Sequence, residues 1–429
     1  MTYQETVEYL YNSTPVFEKI GVGAYKEGLG TSLALDQHLC HPHRRYPTIH
    51  VGGTNGKGSV SHTIASILQA SGYKVGLYTS PHLVDFRERI KVDGECCSED
   101  FVVSFVEQHR NFFEPLHPSF FELTTAMAFD YFAKSEVDVA VIEVGLGGRL
   151  DCTNIITPEL SIITNISYDH TQLLGSTLAQ IASEKAGIIK PGVPVVIGEN
   201  DIETRPVFEQ KAKEMHSPIL FAEDSKEVDA CFANESGGMT YLTRHDGIIE
   251  GDLGGEYQKK NTNTVLTAIR VLAKRFTKIN GISICHGIGN VVSDTGLMGR
   301  WQRLRVCPTV VCDTGHNAGG WRYLSEQLKK QECRQMHIVF GMVDDKDIST
   351  VMDMLPRDAT YYFTKASSKR AISESEVQHI GLSKGLIGST YSTVKEAFSA
   401  AMKNACEEDF IFVGGSSYVV ADFLAEYSE

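Results

Sequence analysis

The segment Ile49-His50-Val51-Gly52-Gly53-Thr54-Asn55-Gly56-Lys57-Gly58-Ser59-Val60 decides the fold of the chain. An apolar run leads into a glycine-rich turn, and apolar residues at helical spacing follow directly after it. Glycines let backbone N–H groups approach an anion, and the start of a helix adds the positive end of its dipole. We therefore predict a buried strand, a phosphate-binding loop and a helix.

One lysine and one hydroxyl complete the predicted phosphate site. Lys57 offers a mobile charge to the β and γ phosphates of a nucleotide, and Ser59 offers a hydroxyl near a magnesium ion. The alternative is a glycine turn before a surface lysine, but the flanking strand and helix favour phosphate binding. Because Gly58 separates Lys57 from Ser59, the loop is a variant of the common G-x-x-x-x-G-K-[ST] pattern. The residues predicted to contact the nucleotide are Gly53, Thr54, Asn55, Gly56, Lys57, Gly58 and Ser59.

Length and charge restrict the class of protein. The chain has 429 residues and a formal net charge of −14, and such a length holds about two or three domains. The negative charge argues against a nucleic-acid partner, which requires a basic face. The first residues lack a basic start, and no apolar run approaches the roughly 18 residues of a membrane span. We therefore expect a cytoplasmic protein with no membrane partner.

The ten cysteines and one histidine-rich segment raise the question of disulfides or zinc. The cysteines lack paired spacing, and the neighbours Cys96 and Cys97 do not easily bridge each other, so reduced thiols are expected. The segment His38-Leu39-Cys40-His41-Pro42-His43 resembles a metal site, but it lies where a helix is predicted to end. Exposed polar residues at a helix end are favoured over zinc.

Strand and helix patterns alternate through the first 296 residues and predict a mostly parallel sheet covered by helices. The apolar run 139–142 does not alternate, which is typical of a central strand buried on both faces. Residues 222–256 suggest a small hairpin region that finishes this domain, and 287–296 suggest a linker. The predicted strands are 74–78, 137–144, 160–166, 193–197 and 239–243, and the predicted helices are 98–113, 121–134, 177–188 and 257–276.

Residues 297–429 predict a second, smaller α/β domain of Rossmann-like type. This domain has no phosphate loop of its own, so we expect any site that it contributes to be shared across the interdomain cleft. The predicted strands are 309–312, 337–340, 360–363 and 410–413, and the predicted helices are 319–330, 393–405 and 417–427.

Three polar side chains fall at predicted strand ends, where such sheets bind their ligands. Ser80 follows the strand 74–78, Glu143 lies at the end of the apolar strand 139–144, and His170 follows the strand 160–166. A hydroxyl, a carboxylate and an imidazole beside a phosphate loop are plausible magnesium ligands. The alternatives are a turn residue for Ser80, an ion pair with Arg149 for Glu143, and a hydrogen-bonded core histidine for His170.

Six ordered motifs resemble the folylpolyglutamate synthase family, including its bifunctional dihydrofolate synthases, within the Mur ligase superfamily. This resemblance implies a phosphate-loop domain of the Mur central type followed by the Rossmann-like domain. The motifs are Gly53-Thr54-Asn55-Gly56-Lys57-Gly58-Ser59, Tyr78-Thr79-Ser80-Pro81-His82-Leu83, Phe121-Glu122-Leu123-Thr124-Thr125-Ala126, Glu143-Val144-Gly145-Leu146-Gly147-Gly148-Arg149-Leu150-Asp151, Asn165-Ile166-Ser167-Tyr168-Asp169-His170 and Glu184-Lys185-Ala186-Gly187-Ile188-Ile189-Lys190.

The resemblance implies an ATP-dependent ligase in which a substrate carboxylate takes the γ-phosphoryl group and L-glutamate attacks the acyl phosphate. Two magnesium ions are expected, held by Ser80, Glu143 and His170. Lys185 is expected to be carbamylated, which would turn a cation into an oxygen ligand. The alternative for Lys185 is an unmodified surface lysine on a helix. The residues expected to act in catalysis are Lys57, His170, Lys185 and Arg300.

The resemblance also implies nucleotide contacts later in the chain. Gln258 and Asn261 match a segment that reaches the nucleotide, as do Asp313 and His316 in Asp313-Thr314-Gly315-His316-Asn317. The family more often has alanine before this histidine and proline after the asparagine. Arg300 is expected to neutralise phosphate charge. Ser417 resembles a serine on the amino-acid side, although a helix cap at Ser416 or Ser417 is an alternative.

The expected substrates are ATP, L-glutamate and either dihydropteroate or a reduced folate. The segment 21–36 and the residues Phe121, Glu122, Leu123 and Thr124 are expected to form the pterin pocket, and a monomer is the simplest assembly. A cell-wall Mur ligase is the rival enzyme, but only about fifty residues precede the loop, too few for its usual extra domain. A non-catalytic nucleotide-binding module is the second rival. The presence of Glu143, His170 and Lys185 favours catalysis.

Overall fold

The computed structural model describes residues 1–14, 28–344 and 346–427. Their contacts divide the chain into two compact units. The first unit comprises Met1–Cys231, Thr240–Asp252 and Gln258–Leu297, and the second comprises Phe232–Met239, Leu253–Tyr257 and Met298–Glu429. Among the described residues, every helix is too short or too polar to cross a membrane.

The first unit contains an eight-stranded sheet whose order is β4-β3-β2-β5-β1-β6-β7-β8. The pairs β2–β3 and β3–β4 are antiparallel, and the other neighbours are parallel. A separate three-stranded sheet has the order β11-β10-β9. The strands are β1 Thr48–Gly52, β2 Val75–Tyr78, β3 Ile90–Val92, β4 Glu95–Cys96, β5 Val139–Glu143, β6 Leu160–Ile163, β7 Val195–Ile197, β8 Ile219–Phe221, β9 Val228–Ala233, β10 Met239–Thr243 and β11 Gly247–Gly251.

The register of the central strands brings the predicted site residues to one edge of the sheet. Val51 of β1 pairs with Glu143 of β5, and Gly52 pairs with Ile163 of β6. All five residues of β1 and of β5 are buried, as expected for strands covered on both faces. The phosphate loop therefore leaves the sheet beside Glu143 and beside the segment that follows β6.

Helices cover both faces of this sheet, and several begin with a side-chain cap. Ser119, for example, accepts the N–H of Glu122 while the Glu122 carboxylate accepts the N–H of Ser119. The helices are Tyr3–Ser13, Gly30–His38, Lys57–Ala70, Glu99–Phe113, Phe120–Lys134, Thr171–Leu174, Leu178–Ala186, Arg205–Glu214, Ala222–Ser225, Gln258–Leu272, Gly281–Gly289 and Val291–Thr295, with 3-10 turns at Pro42–Arg44, Phe86–Arg89, Glu114–Leu116 and Cys152–Ile155.

The second unit is built on a six-stranded sheet of order β12-β13-β17-β14-β15-β16. Only the edge strand β12 is antiparallel to its neighbour. The strands are β12 Gln302–Arg305, β13 Thr309–Asp313, β14 Met336–Phe340, β15 Ala359–Phe363, β16 Ile387–Thr390 and β17 Phe410–Gly414, and the helices are Ala318–Lys329, Ile348–Met354, Glu374–Ser383, Val394–Asn404 and Ser417–Tyr427.

The predicted fold class, a mostly parallel phosphate-loop domain followed by a smaller α/β domain, is confirmed. The linker predicted at 287–296 is wrong, because Gly281–Gly289 and Val291–Thr295 are helices. Polar side chains tie this segment to the phosphate-loop helix: Ser66 donates to Gly287, and His62 contacts Thr295 at 2.7 Å.

The hairpin region 222–256 does not belong wholly to the first unit. The segments 232–239 and 253–257 group with the second unit. Within that unit, Arg303 donates to the carbonyl of Glu235 at 2.6 Å, and the N–H of Glu256 donates to Gln327 at 2.9 Å. These hydrogen bonds join residues far apart in sequence, which local patterns do not reveal.

We expect Trp321→Ala to lower the free energy of unfolding of the second unit by about 3–5 kcal/mol, because it deletes a fully buried ring. Trp321 is 0% exposed, packs against Phe340 and Phe412, and donates from Nε1 to Gly315 at 3.1 Å. Trp321→Phe keeps most of the packing and should cost much less. Urea unfolding followed by Trp301 fluorescence measures both variants, and a wild-type midpoint for Trp321→Ala would contradict the expectation.

Candidate active site

The phosphate loop can form only because glycine occupies two of its positions. Gly53 has φ 137° and Gly56 has φ 82°, both in the left-handed region that side chains rarely adopt. A Cβ atom at residue 53 would collide with Oγ1 of Thr164, and one at residue 56 would collide with Oδ1 of Asn261. The loop is therefore enclosed between the segment after β6 and the helix Gln258–Leu272.

The side chain and backbone of Asn165 fix the first half of the loop. Thr54 donates its N–H to the Asn165 carbonyl, and Asn55 donates its N–H to Oδ1 of Asn165, both at 2.9 Å. The Thr164 hydroxyl donates to the carbonyl of Asn55 at 2.5 Å. The N–H groups of Thr54 and Asn55 are thus hydrogen-bonded within the protein. Thr54 and Asn55 are predicted from the sequence to contact phosphate, whereas this role of Asn165 was not predicted.

The start of the helix Lys57–Ala70 presents backbone N–H groups in a way that suits an anion. No side chain caps this helix at Gly56, and Val60 is the residue that donates back to the carbonyl of Gly56. The preceding N–H groups, of Lys57, Gly58 and Ser59, belong to the first helical turn, where the dipole favours an anion. The Lys57 ammonium lies over the loop and donates to the carbonyl of Thr54 at 3.1 Å.

Gln258 and Asn261 join this end of the loop from another helix. Gln258 donates from Nε2 to the Ser59 hydroxyl at 3.2 Å, and Asn261 donates from Nδ2 to Oε1 of Gln258 at 2.9 Å. Both side chains are buried. The pair orients the Ser59 hydroxyl, so it contributes to the phosphate end of the site through Ser59.

Lys185 is buried under the loop, and the surface-lysine alternative is wrong. Only 4% of Lys185 is exposed, and its ammonium nitrogen donates to the carbonyl of Gly53 at 2.9 Å. Burial, followed by the charge of Lys57, lowers the pKa of Lys185 to about 7. Close packing makes this placement possible, because a Cβ at Gly148 would lie 3.0 Å from Cα of Lys185. A substantial neutral fraction of this amine exists near pH 7.

Ser80 and Glu143 meet at the ends of their neighbouring strands. The N–H of Ser80 donates to Oε2 of Glu143 at 3.2 Å, and Glu143 is 4% exposed. Arg149, the partner of Glu143 in the predicted alternative of an ion pair, pairs with Glu184 at 2.8 Å. The Glu143 carboxylate therefore lies beside the Ser80 turn, at the same edge of the sheet as the phosphate loop.

His170 begins the short helix Thr171–Leu174 in a left-handed conformation, with φ 47°. Its side chain is 22% exposed, and its Nε2 lies 3.8 Å from Oδ1 of Asp169. This exposure does not suit the alternative of a core histidine. Asp169 also counters the lowering of the Lys185 pKa, so Asp169 lies close to that amine.

The side chains at this edge of the eight-stranded sheet suit a magnesium ion. A buried carboxylate, a hydroxyl and a carbamylated lysine would supply the oxygen ligands that magnesium prefers, and phosphate oxygens could complete its shell. Within 1–14, 28–344 and 346–427, no three His, Cys, Asp or Glu side chains are grouped as a metal site. Glu143 and His170 would therefore need Ser80, a carbamate or phosphate as additional ligands.

Three of the residues expected to line the pterin pocket, Phe121, Glu122 and Thr124, contact other parts of the protein. Phe121 packs against the backbone of Gly145, where a Cβ would collide with the ring, and stacks on Tyr78 at 5.7 Å. Glu122 caps its own helix, and the fully buried Thr124 contacts the Tyr78 hydroxyl at 2.9 Å. Glu122 and Thr124 thus make hydrogen bonds within the protein, and their contact with a substrate stays a prediction. Residues 21–27 of the predicted pocket lie outside the described residues.

The histidine-rich segment contacts a carboxylate. Nδ1 of His41 and Nδ1 of His43 lie 2.6 Å and 2.7 Å from the two oxygens of Asp36. The helix before this segment ends at His38, as predicted. Asp36 therefore orders the two imidazoles as part of the turn after this helix.

In the second unit, Asp313 organises the two segments that carry Arg300 and His316. Asp313 accepts the hydroxyl of Tyr257 at 2.6 Å and the N–H groups of Trp301 at 2.7 Å and Gly315 at 2.8 Å. Burial raises the pKa of Asp313, and the donors oppose this rise. Arg300 contacts the Thr314 hydroxyl. His316 contacts the carbonyl of the same residue from Nδ1 at 3.0 Å.

The two serines after β17 have different roles. The Ser416 hydroxyl accepts the N–H of Val419 at 3.2 Å, which is the predicted cap of the last helix. Ser417 is the first residue of that helix and is partly exposed. The cap thus leaves the Ser417 hydroxyl outside the capping interaction.

Residues 51–269 match the Mur ligase middle domain, and residues 299–417 match the Mur ligase glutamate ligase domain. A folylpolyglutamate synthase from Lacticaseibacillus casei is 33% identical over 96% of this chain and 96% of its own length. The chain belongs to the folylpolyglutamate synthase and dihydrofolate synthase family of the Mur ligases. A Haloferax volcanii relative is 31% identical over 98% of this chain, which spans 50% of that longer protein.

Solved structures of this family share the fold over the whole chain. E. coli FolC in complex with DHPP and ADP has a TM-score of 0.83 and 28% identity, covering 100% of this chain and 98% of its own. A bifunctional folylpolyglutamate synthase/dihydrofolate synthase with Mn, AMPPNP and L-glutamate bound has a TM-score of 0.80 and 27% identity, covering 100% of this chain and 98% of its own.

We expect Gly56→Ala to weaken ADP binding by at least about ten-fold, because the methyl group would displace Asn261 and distort the loop. Gly72→Ala is the matched control. Gly72 also has a left-handed φ of 77°, but a Cβ there meets nothing within 4 Å. Both variants carry similar backbone strain of about 1–2 kcal/mol. Isothermal titration with ADP measures the difference, and equal ADP affinities would contradict the crowding argument.

We expect the buried amine of Lys185 to make stability rise with pH. Its folded pKa of about 7 lies below the ordinary value of 10.5, so the unfolded state binds more protons between these values. The slope of the unfolding free energy from this group is at most about 1.4 kcal/mol per pH unit. Lys185→Met should remove this contribution. Urea unfolding between these pH values in CO₂-free buffer tests it, and parallel curves for the two proteins would contradict it.

Proposed function

We propose that this chain uses ATP to join L-glutamate to the carboxylate of a reduced folate, and also to that of dihydropteroate. The observation that carries the proposal is the buried Lys185 amine, held at the carbonyl of Gly53 beneath the phosphate loop. A structural lysine on a helix surface would not need this burial. Burying an amine costs free energy, which a catalytic role at the phosphate site explains.

The proposed reaction has two steps, phosphoryl transfer and then amide formation. One oxygen of the folate carboxylate attacks the γ-phosphorus of ATP, so an acyl phosphate forms and ADP leaves. The amino group of L-glutamate then attacks the acyl carbon, an amide forms, and inorganic phosphate leaves with the original carboxylate oxygen. The ammonium group of L-glutamate first loses one proton to solvent or a nearby base, because only the neutral amine has a lone pair for the attack, and the nitrogen loses a second proton as the amide forms. Activation is necessary because a free carboxylate is a poor acylating agent.

Residues around the loop supply charge to the phosphates. The first-turn N–H groups of Lys57, Gly58 and Ser59 bind phosphate oxygens, and the Lys57 side chain turns from the carbonyl of Thr54 toward the nucleotide. We assign two magnesium ions to Ser80, Glu143, His170 and a carbamylated Lys185. When bound, these ions neutralise phosphate charge.

Carbamylation follows from the state of the Lys185 amine. A neutral amine attacks CO₂, forms a C–N bond and releases one proton, so the cation becomes an anionic carbamate. The lowered pKa provides neutral amine near pH 7, and burial protects the product from water. The protonated Lys185 amine repels the Lys57 ammonium, whereas a negatively charged carbamate would attract it.

In the second unit, we assign Arg300 and His316 to nucleotide and glutamate contacts, with Ser417 on the amino-acid side. Asp313 would act mainly by fixing the segments of Arg300 and His316, since its carboxylate already accepts three donors. On the folate side, Phe121 offers an aromatic face at the Gly145 turn. We also propose a cytoplasmic location, since the ten cysteines, all among the described residues, form no disulfide, which suits a reducing compartment. A monomer is the simplest assembly.

ADP release with magnesium, ATP and L-glutamate tests the function directly. We expect turnover with 7,8-dihydropteroate and with tetrahydrofolate in separate assays, and a loss of at least about a hundred-fold in Lys57→Ala, which removes a phosphate cation. Lys259→Ala, which removes a half-buried lysine that donates to the backbone carbonyl of Asp229, is the control. Turnover with one acceptor would name a single activity, and none with either would overturn the proposal in favour of a Mur-type ligase or a binding module.

A further inference from the structure

The turn that carries Ser80 is held at almost every position. Thr79 donates its N–H to the carbonyl of Arg89 at 3.1 Å, and Ser80 donates to Glu143. The Glu88 carboxylate then accepts three successive N–H groups, at distances of 2.7 to 2.9 Å. These three donors are Leu83, Val84 and Asp85. Segments held this completely are typical of positions where geometry matters for function.

His82 lies in the middle of this turn, and both of its ring nitrogens form hydrogen bonds. Nε of Arg89 donates to Nδ1 of His82 at 2.7 Å, so Nδ1 is the acceptor nitrogen of a neutral imidazole. The proton is therefore on Nε2, which donates to the hydroxyl oxygen of Tyr11 at 3.0 Å. The tautomer of His82 is fixed by its partners.

Aromatic packing holds both partners of His82 against one ring. Tyr11 stacks on Phe120 with centroids 4.8 Å apart, and the Arg89 guanidinium lies 5.1 Å from the centroid of the same ring. Arg89 is 2% exposed. Tyr11 belongs to the first helix, which makes a second bond to the turn through Tyr3 and Asp85 at 3.0 Å.

We propose that His82 is a positioning residue that holds the Ser80 turn against Glu143 by joining Arg89 to Tyr11 of the first helix. It sets the geometry with which Ser80 and Glu143 hold a divalent cation. This inference rests on the proposed function only for the identity of the cation site. Through Tyr11, it also links that site to the helix that precedes the predicted pterin segment.

Binding of Mn²⁺ in the presence of ADP, followed by electron paramagnetic resonance, tests this role without turnover. We expect His82→Ala to weaken Mn²⁺ binding by about ten-fold and Tyr11→Phe by about three-fold, because each loosens the turn. His82→Gln offers an amide acceptor and an amide donor, so it should remain within about three-fold of wild type. The concentration of magnesium for half-maximal ADP release should shift in the same order.

His43→Ala is the control, because His43 is a buried imidazole hydrogen-bonded to Asp36 but lies outside the turn. It should leave Mn²⁺ affinity unchanged even if it lowers the melting temperature. Wild-type Mn²⁺ affinity in His82→Ala or, if that variant does not fold, in Tyr11→Phe would overturn the inference. Normal Mn²⁺ and ADP binding by wild type without any turnover would instead overturn the proposed function and leave this inference intact.

Discussion

The structure of the site depends on one steric constraint, which is the absence of side chains at residues 53 and 56. Thr164 and Asn261 occupy the space that a Cβ would need at these two positions. This close approach lets Asn165 accept two loop N–H groups and lets Gln258 reach Ser59. The same approach allows the Lys185 amine to reach the carbonyl of Gly53. A side chain at either Gly53 or Gly56 would push all of these contacting groups apart.

Strand register explains why distant motifs form one site. The pairing of Val51 with Glu143 and of Gly52 with Ile163 ends three strands at one level, and β2 adds Ser80 beside them. Loops at this edge can therefore be short and still meet. The carboxyl edge of a parallel sheet concentrates polar groups without placing them in its apolar interior.

The sequence predicted most of the fold because its signals are local. The apolar run of β5 and the glycine loop before the helix Lys57–Ala70 are readable from neighbouring residues. Glycines and polar residues hid the helices Gly281–Gly289 and Val291–Thr295, which bond to a helix far away in sequence: the carbonyl of Gly287 accepts the Ser66 hydroxyl, and Thr295 contacts His62. The edge strand Ile387–Thr390 was missed because it is mostly exposed and lacks an apolar run.

The site was predictable as a set of motifs but not as a set of interactions. Glycine, lysine and carboxylate positions pointed to phosphate chemistry, whereas the burial of Lys185 and the partners of Asn165 and His82 depend on residues far away in sequence. Asn165 lies 110 residues from Asn55, whose N–H it accepts. Such contacts follow from the register of the assembled sheet, which no single segment encodes.

Formation of an acyl phosphate is the central step of the proposed reaction, and transfer of an oxygen isotope from the carboxylate to phosphate tests it directly. Tetrahydrofolate labelled with ¹⁸O in its reacting carboxylate would be incubated with the enzyme, ATP, magnesium and L-glutamate, and the released inorganic phosphate analysed by mass spectrometry. We expect one ¹⁸O atom in the phosphate for each amide formed from doubly labelled carboxylate. Unlabelled phosphate accompanying amide formation would contradict it.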